Sequence, residues 1–151
     1  MRAQSPMREE AVTETVDSRN SRTGGGALRI GLWLAQGAVF LAFTLAGTAK
    51  ILEPIASLSR QMAWTGQYPA AFVRTMGVID VLGGVGIFLP QLTRIYPRLS
   101  VAAALGCSAL QICAIVFHVS RGEAALTPVN FTLLGLSLFV LWGRSRKVVA
   151  S

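Results

Sequence analysis

The first residue in this chain that could do chemistry is an aspartate set among apolar residues and glycines. It stands at the centre of RTMGVIDVLGGVGIFLP, residues 74–90. In a hydrocarbon environment a charged side chain facing lipid costs about 3 kcal/mol or more, so Asp80 must face protein. At about 100° per residue, Gly77, Asp80 and Gly84 share one helix face, a seam where another helix can come close. A carboxylate held there can accept a proton or anchor a ligand.

Residues on different helices meet only at similar heights, and that condition selects the partners. Gln111 lies about 10 to 12 Å below the outer end of its segment, matching Asp80. Thr44 and Asn130 lie somewhat nearer the outer surface. The expected polar pocket is therefore Thr44, Asp80, Gln111 and Asn130, opening outward. Lys50, Arg74, His118 and Arg121 stand at its mouth. Gln36 is the exception, in the inner half with no partner assigned. The plainer alternative is structural: polar side chains bridging helices contribute about 0.6 kcal/mol each and need no function. Asp80 is what favours a site.

Positioning these residues takes helices that span a membrane. The chain has 151 residues, of which 52% are hydrophobic and 14% charged, a balance foreign to soluble domains. Crossing a hydrocarbon core takes about 20 helical residues. Four apolar segments qualify, at about 30–49, 70–89, 99–119 and 125–142, the second ending at Pro90, where proline stops a helix. The predicted fold is all-α, an integral membrane four-helix bundle. Between the first two spans, EPIASLSRQMAWTGQYPAAF places Ile55, Leu58, Met62 and Ala63 at helical spacing, with Trp64 and Tyr68 as headgroup-level residues. A short interfacial helix is expected there.

Residues 1–28 mix both charges with Ser, Thr and Gly and read as a disordered tail, followed by a domain over 29–144 and a basic tail over 145–151. The first apolar run is too long for a signal peptide and reads as an uncleaved anchor. The net charge of +7 has a topological explanation. Arg19, Arg22, Arg29, Arg94, Arg98, Arg144, Arg146 and Lys147 fall on one side of four spans. Only Lys50, Arg60, Arg74 and Arg121 fall on the other, which puts both termini in the cytoplasm. No recognition motif or aromatic-interleaved basic patch points to nucleic acid.

No nucleotide, zincin or nucleophile-elbow motif is present, and the glycines of GGVG suit helix packing better than a phosphate cradle. Cys107 and Cys113, about 9 Å apart along one helix and on different faces, cannot bridge each other. A single histidine supplies neither a bis-histidine haem nor a multi-histidine metal site. These absences argue against stand-alone catalysis and against a cofactor held by the chain alone.

The stretches FLAFTLAGTAKI, VRTMGVIDVLGGVGIFLP and AIVFHVSRGE, followed by Pro128 and Asn130, resemble the DoxX-like family of small bacterial four-helix membrane proteins over about residues 32–144. By that resemblance Gly47, Lys50, Arg74, Gly77, the acidic position at Asp80 and His118 match recurring family positions, although family members more often carry glutamate where this chain has Asp80. The resemblance implies an accessory subunit of a membrane redox system in the bacterial cytoplasmic membrane, with a quinone or lipid-like ligand and redox partner proteins. Two other functions are open. One is a small-solute or proton-linked permease, which with so few helices would call for a homodimer. The other is a scaffold without chemistry, recruiting partners through its tails.

Overall fold

The computed structural model describes residues 6–93 and 95–149, and among them every regular element is helical. The helices are α1, Pro6–Leu52; α2, Ile55–Gln61; α3, Ala70–Thr93; α4, Pro97–Ser120; and α5, Thr127–Val149. A 3-10 turn at Ala63–Gly66 follows α2, and another at Ala124–Leu126 precedes α5. The chain divides into two units, residues 1–33 and 34–151.

In the first unit the described chain is helical from Pro6 onward, within the segment read as a tail over 1–28. Pro6 sits in the first turn, where a missing N–H costs nothing, and no other proline interrupts the sequence before Pro54. Once a helix is nucleated, each further residue adds a hydrogen bond without needing a core of its own. Residues 1–5 lie outside the described residues.

In the second unit α4 and α5 form an antiparallel hairpin, and α3 packs against α4. The expected halt at Pro90 is not observed: Pro90 lies inside α3, which runs on to Thr93. Proline is tolerated within long apolar helices where neighbouring groups satisfy the carbonyls it leaves without donors. The turn into α4 uses Tyr96 in the left-handed region (φ 50°), with Pro97 opening the helix. At the other end α5 continues to Val149, so the basic segment expected as a tail is helical as far as it is described.

Among the described residues, three helical stretches are long and apolar enough to cross a membrane: Gly25–Leu52, Ala70–Thr93 and Arg98–Ser120. α5 is comparable in length, but Asn130, Arg144 and Arg146 dilute its apolar character. All four long helices turn large hydrophobic side chains outward, among them Leu41, Leu82, Leu105, Val116, Phe131 and Leu138. Such a surface suits hydrocarbon rather than water. Inside, Ala35, Val39, Phe43, Ile87, Ala104, Cys107 and Val140 form the buried core.

Glycines set the closest approach of α1 to α3. A methyl on Gly47 would lie 2.6 Å from the Gly77 carbonyl oxygen, and one on Gly77 would lie 2.7 Å from the Gly47 carbonyl oxygen. Backbone therefore meets backbone, and any side chain at either position forces the helices apart. Gly84 is nearly as tight, 2.9 Å from Thr44 Oγ1 by the same measure. This is the close seam that the shared face of Gly77, Asp80 and Gly84 predicts.

Candidate functional site

Lys50 ends the apolar run of α1, in the last turn, where a cation complements the negative end of the helix. Its Nζ lies 2.6 Å from Asp80 Oδ2, with both side chains largely buried at 14% and 15% exposure. Asp80 is thus held by a salt bridge across the glycine seam. Arg74, one helical turn and a half before Asp80 on α3, donates from Nη1 to the Lys50 carbonyl at 2.5 Å. That carbonyl is among the last of α1, which have no helical donor of their own, so Arg74 caps the helix that presents Lys50. The two residues expected at a mouth are therefore built into the carboxylate's own surroundings. A lysine stem is long enough to reach down from a helix end to a group buried below it.

An aromatic group adjoins the pair. Trp64, on the 3-10 turn, has its ring centroid 5.9 Å from Lys50 Nζ and stands edge-on to Phe117 of α4 at 6.0 Å. Tyr68 lies 5.9 Å from Phe117 and 5.3 Å from Phe72. The segment carrying Trp64 and Tyr68 is anchored by Leu58 and Thr65, both fully buried. A cation beside aromatic faces, with little water around, gains about 0.5–2 kcal/mol.

His118 and Arg121 converge on a residue the sequence reading passed over. Glu123 accepts from Arg121 Nε at 3.1 Å, and its other oxygen lies 2.9 Å from His118 Nδ1. The hydrogen bond from His118, reinforced by Arg121, holds the Glu123 carboxyl below its usual range. Arg121 also donates to Gln67 Oε1 at 2.6 Å, tying the connection before α3 to the connection after α4.

Helix boundaries now give the depths of the remaining candidates. At about 1.5 Å per residue, Thr44 lies eight residues from the end of α1, about 12 Å. Asp80 lies ten from the start of α3, about 15 Å; Gln111 nine from the end of α4, about 13.5 Å; and Ser137 ten from the start of α5, about 15 Å. Counted from helix ends the four fall within about 3 Å, but the packing of Thr44 Oγ1 against Gly84 sets Thr44 about one turn, roughly 6 Å, deeper than Asp80, which leaves Gln111 and Ser137 level with the carboxylate. Asn130 is only three residues into α5, about 4.5 Å, and half-buried. Among the described residues no side-chain hydrogen bond joins Asp80 to Gln111 or Asn130; its partner is Lys50. Ser137, level with Asp80, takes the place that Asn130 was expected to hold.

A second polar group, called the inner group, lies toward the opposite end of the long helices. Gln36 is fully buried on α1 and donates from Nε2 to the Ile87 carbonyl at 2.7 Å. Its Oε1 accepts from Arg144, with Nε at 3.1 Å and a second, shorter bond from Nη2. Ser100 Oγ donates to the same Ile87 carbonyl at 3.3 Å. Pro90 has no N–H to offer the Gly86 carbonyl, so the α3 ladder is interrupted next to the Ile87 carbonyl that Gln36 and Ser100 share. Gln36 thus has the partners that depth matching had not supplied. Arg144, counted as a loop charge, is only 5% exposed.

Long apolar helices with lipid-suited faces, closed by a glycine seam over an intramembrane ion pair, define a small helical integral membrane protein. The model of the DoxX-like family matches residues 34–140, and the chain belongs to that family. No curated protein and no solved structure matches it.

Proposed function

We propose that the protein crosses the bacterial cytoplasmic membrane four times, α5 supplying the fourth span. Both termini are then cytoplasmic, and α2 with the following 3-10 turn lies at the outer interface. In this reading it is a non-catalytic accessory subunit of a membrane redox system, and it binds the flat head group of a quinone-like lipid beside Lys50 and Asp80.

The observation that carries the reading is the Lys50–Asp80 pair abutting Trp64, with Phe117 and Tyr68 next to it. A ring with carbonyl oxygens needs apolar faces to stack on and a donor to meet its oxygens. Lys50 is the donor, the aromatics are the faces, and the lipid-facing helices are the route of entry. A carrier has less support, because Val39, Phe43, Ala104, Cys107 and Val140 fill the bundle between the two polar groups.

The test uses Trp64 as its reporter. With Trp33 and Trp142 replaced by phenylalanine, the protein in nanodiscs is titrated with a short-chain quinone. Saturable quenching of Trp64, weakened at least tenfold by Lys50→Met, is the expected result. Linear, collisional quenching that is identical in both proteins would remove the site.

A further inference from the structure

Among the described residues, three buried side-chain polar atoms have no hydrogen-bond partner: Thr44 Oγ1, Gln111 Oε1 and Ser137 Oγ. Gln111 is 7% exposed and Ser137 fully buried. A buried polar atom without a partner costs about 1–3 kcal/mol, and folded proteins rarely leave one so. Here three occur on three helices: Gln111 and Ser137 level with Asp80, about 13.5 and 15 Å from the ends of their helices, and Thr44 about one turn deeper, against Gly84.

Hydroxyls elsewhere in the same helices behave differently. Ser108 bonds back to the Ala104 carbonyl at 2.8 Å, Thr75 to Ala71 at 2.9 Å, and Thr132 to Pro128 at 3.0 Å. That local bond is available to any serine or threonine inside a helix. Thr44 and Ser137 do not make it, so their oxygens are free for something between the helices. Gln111 adds a carbonyl acceptor at the height of Ser137. Two hydroxyls that can donate or accept, together with one acceptor, suit water, which makes about three bonds in buried sites and favours otherwise unsatisfied groups. Phe43 and Cys107 beside Thr44, and Val39, Ala104 and Val140 further along the helices, offer water nothing. Toward the outer side, the group leads to Lys50 and Asp80.

We propose that Gln111 and Ser137, level with Asp80, and Thr44, one turn deeper, bind ordered water within the bundle, continuous with the outer side and closed toward the inner side by the apolar core. Its role is to give Asp80 exchangeable protons from the outer side alone. The proposal rests on the four-span reading and not on a bound ring.

The test is magnetisation transfer from water to the isotopically labelled full chain in nanodiscs containing no quinone. The side-chain amide of Gln111 and the groups of Thr44 and Ser137 should receive signal from water as fast as Lys50 does, and several-fold faster than Ala104 and Val140. In the double variant Gln111→Leu, Ser137→Ala, transfer at Thr44 should drop to the level of the core. Should Thr44, Gln111 and Ser137 be as slow as Ala104 and Val140 in the unmodified protein, the group is dry and the proposal fails. Equally fast transfer at the core would remove the closure. Because no ring is present, the Trp64 titration stands or falls separately.

Discussion

The two polar groups in this bundle use similar residue types and differ in how completely those residues are satisfied. In the inner group Gln36 spends both ends of its amide, on the Ile87 carbonyl and on Arg144, and Ser100 joins the same carbonyl. In the group around Asp80 a carboxylate is matched to one lysine, while Thr44, Gln111 and Ser137 keep unpaired oxygens. A network with its bonds made holds helices together and has little capacity left for a ligand. A group with bonds to spare gives up stability and keeps the ability to bind. On this contrast we assign the inner group to structure and propose the group around Asp80 as the site.

The contrast should show first in stability. Gln36→Leu leaves the Arg144 guanidinium buried without the acceptor it shares two bonds with, and should cost about 3 kcal/mol. Reversible unfolding in mixed micelles reads this directly, and a loss below about 1 kcal/mol would place the inner group among ordinary interhelical polar contacts. Lys50→Met strands a largely buried carboxylate and should cost about 2 kcal/mol, with Lys50→Met, Asp80→Leu recovering most of it while abolishing Trp64 quenching. If the double variant stays as unstable as the single, the pair is structural and the comparison collapses. Gln111→Leu with Ser137→Ala should be neutral or stabilising by up to about 1 kcal/mol, since unsatisfied groups are removed. A clear destabilisation would mean that these atoms have partners.

The smallest effect concerns pH. Glu123 has a folded-state pKa below its unfolded value, because His118 and Arg121 favour the carboxylate. Its contribution is therefore fully present above the ordinary glutamate range and is lost as pH falls through that range to the depressed value. Glu123→Gln should flatten this acid limb, seen as the pH dependence of amide exchange at residues 121–126, and leave the two polar groups unchanged.

How far these groups could be read from the residues follows from side-chain reach. The long helices came from run length, and the burial of Asp80 from the cost of a charge in lipid. Its partner was misplaced because depth was counted along backbones, and a lysine extends well beyond its own Cα. Arg144 was legible as a basic residue at a helix end, but its partner lies 108 residues away, and the positive-inside pattern explained it sufficiently. The inner depth of Gln36 was the available signal, since Arg144 lies at a similar distance along α5. Ser137 carried no signal, being small and common in packed helices. Pro90 misled because the rule that ends helices at proline belongs to water, where freed carbonyls turn to solvent.

The glycine seam also bears on biogenesis. α3, α4 and α5 pack as neighbours in sequence, so they can assemble hairpin by hairpin as they enter the bilayer. Contact of Gly47 with Gly77 is different, because it must close a loop through the whole α2 connection. Lys50 and Asp80 meet only when that closure happens. Until then the acid is an uncompensated liability in a half-assembled chain, so the salt bridge marks completion of the fold and offers quality control a feature by which to tell finished molecules from stalled ones.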